Sequence, residues 1–476
     1  MSRLSVFDAG FLTFENATMP MHVGGLALYS FPKEVKTPAE QSEYLHGMIE
    51  SAKQVEVDDF RHPFGKKLER RLGQWHWEKD EDFDIEYHLR HVALPHPGRY
   101  REMFATVSRM HGKLLARERP LWESTLIEGL DSGQYAMYSK MHHSMIDGLG
   151  AMQLLNDSMS TDADERGMPL PFASRKRPKK PRQPRVERPS QGAIAEFSNQ
   201  LQSQFGVAKG AAAGVGKMLS ATFRPEGNNL VGFRQAPRTV LNGEITGARR
   251  VVAQSYSLDR IKRICKVYNA TLNDIVVAMS SGALRQHLFN NHVLPEKPLI
   301  AMAPVGLKAR VTGKDAASGE AQMGNAVGAI MINLGTHIGD PVARLRHIQA
   351  STKEVKSLLA SMTKDEILAF TALTGAPSML LTAAGLAPKV RQNFNIVISN
   401  VPGPRERLYW NGARLDGNYP ISIPMQGMAM NFTVMTYVDS LDFGITACRK
   451  SVPKAQRLID YLEQSLVELE DGAGLK

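Results

Sequence analysis

The chain has 476 residues, 43% of them hydrophobic, with a formal net charge of +10 and a pI near 9.4. That length and apolar content exclude a coiled coil and a wholly disordered chain, and they suffice for two domains with full cores. The Lys and Arg excess favours an anionic partner, whether nucleic acid, a phosphorylated cofactor or a membrane surface.

The N-terminal stretch MSRLSVFDAGFLTFENATMPMH puts Asp8 and Glu15 where a secretory signal needs an apolar core, so a cytoplasmic protein is expected. Further along, YREMFATVSRMHGKLLARER from Tyr100 has helical apolar spacing, and QYAMYSKM from Gln134 alternates as a strand does. A break in composition then runs from about Asp162 to Arg238. It holds SRKRPKKPRQPRVERP, in which Lys and Arg alternate with Pro, followed by AKGAAAGVGK and RPEGNN. Missing backbone donors and like-charge repulsion make the first of these an extended, solvated connector. The run has no interleaved aromatics and no reading motif beside it, which argues against nucleic acid and leaves a solvated linker or a weak anchor on anionic lipid.

Beyond the connector, Ile367 to Pro388 is free of charge and as long as a membrane span. Its prolines, glycines and hydroxyls argue against a spanning helix and for a pocket-lining or interfacial segment. NFNIVISNV from Asn393 reads as a buried strand, and MNFTVMTYVDSLDFGITAC from Met430 as a hairpin turning at Asp439 and Ser440. Strands and helices alternate on both sides of the connector, so the fold class is α/β. The expected division is residues 1–162, a connector over 163–238, and a second domain over 239–476. Cys265 and Cys448 lie far apart in unrelated contexts, which suggests neither a disulfide framework nor a thiolate metal site.

The stretch that concentrates chemistry is YSKMHHSMIDGLGAM, from Tyr138 to Met152. A strand ending near Met141 delivers His142 and His143 to opposite faces, so only one of them points into a given site. Asp147 falls near the start of the following helix, where exposed amides and the helix dipole favour a carboxylate. Gly148 and Gly150 admit a second chain segment or a ligand at close range. A neutral imidazole accepts a proton from a hydroxyl at physiological pH and, when positioned, contributes about 10² to 10⁴ in rate. Asp147 either bonds the ring or forms an ion pair that fixes the loop, and spacing leaves both open. No other histidine joins the pair at a ligand-like spacing, so a metal site is not expected.

HHSMIDG resembles the HHxxxDG signature of the CoA-dependent acyltransferase superfamily. The rest of the chain is most similar to the bacterial wax ester synthase/diacylglycerol acyltransferases. The similar stretches, in the family's order, are DAGFLTFENATMPMHVGG, RPLWE, LNGEITGARR, TLNDIVVAMSSGALRQHL, MGNAVGAIMINL and ISNVPGP. The resemblance implies two chloramphenicol acetyltransferase-like domains with the active site at their interface. It makes His143 the general base, His142 its structural companion and Asp147 a carboxylate that holds the loop. In related proteins that carboxylate pairs with a distant Arg, which no motif identifies here; DFGIT from Asp442 only faintly echoes the superfamily's DFGWG.

Pro120, Leu121 and Trp122 match the family's PLW motif and are candidate substrate contacts, although a Pro-capped Leu-Trp pair is also an ordinary packing anchor. Asn273 and Asp274 match its ND motif. They stand where Thr271 caps a helix, so they either start that helix or, through the Asn amide, donate to an oxyanion. Ser399 and Asn400 fall at a strand end before a turn held by two prolines, a usual place for ligand contacts in α/β sheets. Together with Gly148 these are the candidate substrate-binding residues. The implied reaction moves a fatty acyl group from acyl-CoA to a long-chain alcohol or diacylglycerol, with no cofactor besides that cosubstrate. Partners would be the phosphates of CoA and anionic lipid, at the inner membrane surface or a lipid droplet, and the 23 Met would suit walls for flexible chains. The competing readings are an amide-forming condensation domain and a non-catalytic lipid-binding protein on the same scaffold. The first normally sits among carrier and adenylation modules, and the second would lose the base.

Overall fold

The structure is a computed structural model and describes residues 2–146, 148–173, 212–217, 219–220, 230–306 and 327–475. In chain order the first half contains β1 Ser2–Arg3, α1 Val6–Phe14, β2 His22–Ser30, α2 Pro38–Lys53, β3 Lys66–Arg71, β4 Gln74–Lys79, α3 Ile85–His88, β5 Leu89–Ala93, α4 Tyr100–His111, β6 Trp122–Glu128, β7 Gln134–His142 and α5 Gly148–Ser158. The second half contains β8 Arg249–Ser257, α6 Leu258–Tyr268, α7 Leu272–Asn290, β9 Ile300–Gly306, β10 Val327–Asn333, α8 Pro341–Ala360 and α9 Lys364–Ala383. It continues with β11 Ile396–Val401, β12 Tyr409–Trp410, β13 Ala413–Ile421, β14 Met430–Tyr437, β15 Ser440–Cys448 and α10 Arg457–Gly472.

Two six-stranded mixed sheets carry these elements, in the orders β12-β13-β2-β7-β6-β5 and β10-β9-β11-β14-β15-β8, with a small sheet β1-β4-β3 beside the first. β2 and β7 lie at the centre of the first sheet and pair antiparallel, with Leu26 opposite Tyr138 and His22 opposite His142. Both faces of β7 are covered, so its residues are buried almost throughout, the polar Lys140 and His142 included. β5 and β6 are parallel, with α4 lying between them in sequence. In the second sheet β11 runs parallel to both β9 and β14, and β14 and β15 form the expected hairpin, with Val438 at φ 50 in its turn.

The sequence division is not a division in space: β12 and β13 come from the second half of the chain yet extend the first sheet, with β13 antiparallel to β2. β13 also faces the second sheet, where Asp442 accepts the Asn418 N–H at 2.9 Å and the hydroxyls of Ser255 and Ser440. α4 makes a second tie, since Ser108 Oγ accepts the Val251 N–H of β8 at 2.8 Å. The helical spacing that continues to Arg119 is realised only as far as His111. Gly112 follows, in a crossing so close that a Cβ there would stand 2.8 Å from the Gly247 carbonyl oxygen. One buried cluster centres on Trp122 and Tyr135 and takes in Trp410 and Leu415 from the second half; another centres on α7 and the second sheet and takes in Met19 and Met21 from the first.

Candidate active site

The histidine pair stands at the end of the central strand β7, at the seam between the halves. His142 is the last residue of the strand. Its N–H donates to the Leu121 carbonyl at 2.9 Å, and its ring is fully buried. The Ser144 N–H donates to its Nδ1 at 3.1 Å, with the Ser144 hydroxyl 2.7 Å away. An acceptor at Nδ1 requires the proton at Nε2 in the neutral ring, and Nε2 faces Glu15 Oε1 at 3.6 Å. Burial, joined by the charges of His22, His143 and Arg117, holds the His142 pKa at about 3. At physiological pH this imidazole is therefore neutral and fixed, the properties of a framework group.

His143 differs in exposure and in what its ring meets. It is only half-buried, its backbone N–H donates to the Met21 carbonyl at 2.9 Å, and its ring stacks on Phe11 of α1, with centroids 4.2 Å apart and planes at 14°. The Met21 peptide that receives this bond is held from its other end by Glu15, whose Oε1 accepts the Met21 N–H at 3.0 Å. The Glu15 carboxylate, 3% exposed, pairs with Arg117 at 3.2 Å, and Arg117 also donates to the Leu12 carbonyl at 2.7 Å. α1, the loop after it and the segment before β6 are thus tied together behind His143.

A second buried group of imidazoles lies under the pair. His22 sits within 2.7 Å of the His111 carbonyl and edge-on to the His111 ring, and His111 Nδ1 lies 2.8 Å from the Tyr138 hydroxyl. Burial and neighbouring cations push His22 well below the usual range and His111 to about 3. Glu15, Arg117, His22 and His111 carry no motif signal of their own. Only the placement of Glu15 and His22 within DAGFLTFENATMPMHVGG hints at them.

Leu121 and Trp122 are fully buried. The Trp122 indole N–H donates to the Phe64 carbonyl at 2.8 Å, and its ring stacks on His88 and meets Phe172 edge-on. These side chains are core; what they present to the site is backbone, the Leu121 carbonyl that anchors His142, next to Pro120. Asp274 is likewise committed locally. Its carboxylate closes a capping box with Thr271, accepting the Thr271 N–H at 2.9 Å and hydroxyl at 2.7 Å.

Asn273, Ser399 and Asn400 are different: all three are half-buried, and their side chains make no hydrogen bond among the described residues. Ser399 and Asn400 lie near the end of β11, opposite Thr433 and Val434. Gly148 is brought to that same strand end, where a Cβ would stand 3.8 Å from Val401 Cγ2. The histidine turn of one half and the SNVPGP turn of the other therefore meet. Asp147 lies outside the described residues. Among the described residues no group of three or more side chains is arranged to hold a metal ion.

The two halves are locked beside this site. Arg249 of β8 donates to the Thr18 carbonyl at 2.9 Å and also to Thr246, and Gln426 donates to the Thr18 hydroxyl at 3.1 Å. Gly247 permits the approach, because a Cβ there would fall 2.4 Å from the Ala17 carbonyl oxygen.

Two mixed sheets joined by an exchanged strand, with a histidine pair at their seam, define the chloramphenicol acetyltransferase-like class. The first condensation domain of the calcium-dependent antibiotic synthetase shares this fold, with a TM-score of 0.57 at 15% identity over 99% of this chain and 96% of that one. Sequence comparison narrows the class. The model of the wax ester synthase/diacylglycerol acyltransferase catalytic domain matches residues 4–276, and that of the WS/DGAT C-terminal domain matches residues 323–470. The chain is similar to O-acyltransferase WSD of Acinetobacter baylyi, 39% identical over 98% of this chain and 96% of the relative. It is also similar to a probable diacylglycerol O-acyltransferase of Mycobacterium tuberculosis, 40% identical over 98% of each. The solved wax ester synthase/diacylglycerol acyltransferase of Marinobacter aquaeolei superimposes with a TM-score of 0.78 at 39% identity over the whole of both chains. The chain belongs to the wax ester synthase/diacylglycerol acyltransferase family.

Proposed function

We propose that the protein transfers a fatty acyl group from acyl-CoA to the hydroxyl of a long-chain alcohol or a diacylglycerol, giving a wax ester or a triacylglycerol. His143 acts as the general base. As the hydroxyl oxygen attacks the thioester carbon, the imidazole takes its proton; the C–S bond then breaks and the thiolate leaves as free CoA after receiving that proton. The transfer is direct and needs no acyl-enzyme. The observation that carries this reading is the contrast between the two histidines: His142 is sealed and neutral, while His143 is half-exposed and aimed by the Met21 carbonyl and the Phe11 ring. Asn273, Ser399 and Asn400 have donors free for the thioester carbonyl as it becomes an oxyanion. The part that the HHxxxDG resemblance gives Asp147, a carboxylate holding the loop, is kept in this reading.

The net charge of +10 suits the phosphates of CoA and a peripheral station on anionic lipid, where both acceptor classes reside. Among the described residues no helix is long and apolar enough to cross a membrane. The test is stoichiometric: with palmitoyl-CoA and either hexadecanol or dioleoylglycerol, one free thiol is released per ester formed. Absence of thiol release with both acceptors overturns the reading.

A further inference from the structure

The outward face of α9 is ill-suited to water. A surface helix normally turns an apolar stripe to the core and charges to the solvent. α9 does bury Ile367, Phe370 and Thr374, and the Thr374 hydroxyl is turned back onto the Phe370 carbonyl at 2.9 Å. Yet no charged residue occurs between Ile367 and Pro388. On the outside Leu373 is 56% and Leu380 69% exposed, and Leu386, in the turn that follows, is 42% exposed. Leu373 and Leu380 are seven residues apart, so they lie on one face two turns from each other.

Cations gather where this stripe ends. Lys389 and Arg391 follow in the chain, Arg238 donates to the Pro388 carbonyl at 3.0 Å, and Arg234 donates to the Arg391 carbonyl at 3.4 Å. All four are exposed and, among the described residues, none is in an ion pair. Exposed leucines beside unneutralised cations complement an anionic lipid surface, with acyl chains for the first and phosphates for the second.

We propose that α9 and this basic collar form the docking surface by which the protein lies on anionic lipid. Leu373, Leu380 and Leu386 enter the boundary of the acyl region, and Arg234, Arg238, Lys389 and Arg391 meet the headgroups. The proposal deepens the lipid-acylation reading and rests on it for its purpose. A short path of contacts links the face to the site: a Cβ added at Gly427 would stand 3.2 Å from Ala387, and the neighbouring Gln426 bonds Thr18 in the loop leading to Met21.

The test is flotation of the full chain with vesicles of phosphatidylcholine alone or with one third phosphatidylglycerol. Wild type binds the anionic vesicles. Leu373→Glu combined with Leu380→Glu lowers partitioning at least about tenfold, the equivalent of one buried leucine. Arg234, Arg238, Lys389 and Arg391 each changed to Ala lower it about fivefold per charge on anionic vesicles only. Thiol release measured with a short, water-soluble alcohol stays at the wild-type rate in these variants, which also shows that they are folded. His143→Ala does the reverse, binding vesicles like wild type without turnover, so failure of the chemistry and failure of the docking are told apart. Wild-type protein that does not float, or leucine variants that float unchanged, overturn the proposal.

Discussion

Glu15 bonds the Met21 N–H and Arg117 behind His143, and the geometry makes turnover depend on it. Replacing it with Ala removes the acceptor of the Met21 N–H, a buried bond to a carboxylate worth about 1.5–3 kcal/mol. It also removes the Arg117 pair, worth at most about 1 kcal/mol because Arg117 is 40% exposed. The stability loss is therefore about 1.5–4 kcal/mol. Freed at one end, the Met21 peptide no longer fixes the carbonyl that holds the His143 N–H, and a displacement of about 1 Å in a reacting group costs on the order of 10² in rate. The assay combines urea unfolding with steady-state kinetics. Glu15→Ala should lower kcat by about ten- to a hundredfold and leave KM for acyl-CoA within about twofold. Glu15→Gln keeps an oxygen for the Met21 N–H and should retain most of kcat. A Glu15→Ala enzyme with wild-type kcat refutes the reasoning. So does a loss that tracks the unfolded fraction and vanishes on cooling.

Acid should weaken the fold through the buried imidazoles. Their folded pKa values, about 3 for His142 and His111, lie below the unfolded value of about 6.5, so the unfolded chain binds more protons between these limits. Their contribution is complete above about pH 6.5 and declines as pH falls, by up to about 1.4 kcal/mol per unit for each ring; unfolding free energies that stay flat from pH 7 to pH 5 would contradict this. Trp122→Ala should cost about 3–5 kcal/mol, whereas Trp122→Phe, which loses mainly the bond to Phe64, should cost about 1 kcal/mol. In both Trp122 variants KM is expected to hold, and a raised KM at unchanged stability would mean that the indole meets substrate. Gly247→Ala forces a Cβ against the Ala17 carbonyl and should lower both melting temperature and kcat, since that loop leads to Met21; an unaffected kcat would show the seam to be looser than its spacing implies.

Much of the architecture is readable in local pattern. The alternation of QYAMYSKM, the strand NFNIVISNV, the hairpin near Asp439 and the cap at Thr271 all depend on residues within a few positions of one another, and each is present. What the pattern conceals is long-range. β13 alternates only as far as the bulge between Leu415 and Gly417, and nothing in it says that it joins the sheet of the other half, because strand sequence carries facing and not address. The supports of His143 are concealed for the same reason. Glu15 reaches Arg117 across 102 positions and His22 reaches the His111 carbonyl across 89, so no local spacing announces either contact. The PLW stretch shows the opposite limit: its motif marks a place near the site, while burial shows that Leu121 reaches the histidine turn through its backbone carbonyl.

Turnover as proposed rests on one proton acceptor, His143. Single-turnover thiol release from palmitoyl-CoA with hexadecanol, comparing wild type with His143→Ala, tests it most directly. A fall of about 10² to 10⁴, with the variant folded and still binding acyl-CoA, is the result expected of a lost general base. Release by the variant at the wild-type rate would contradict the assignment.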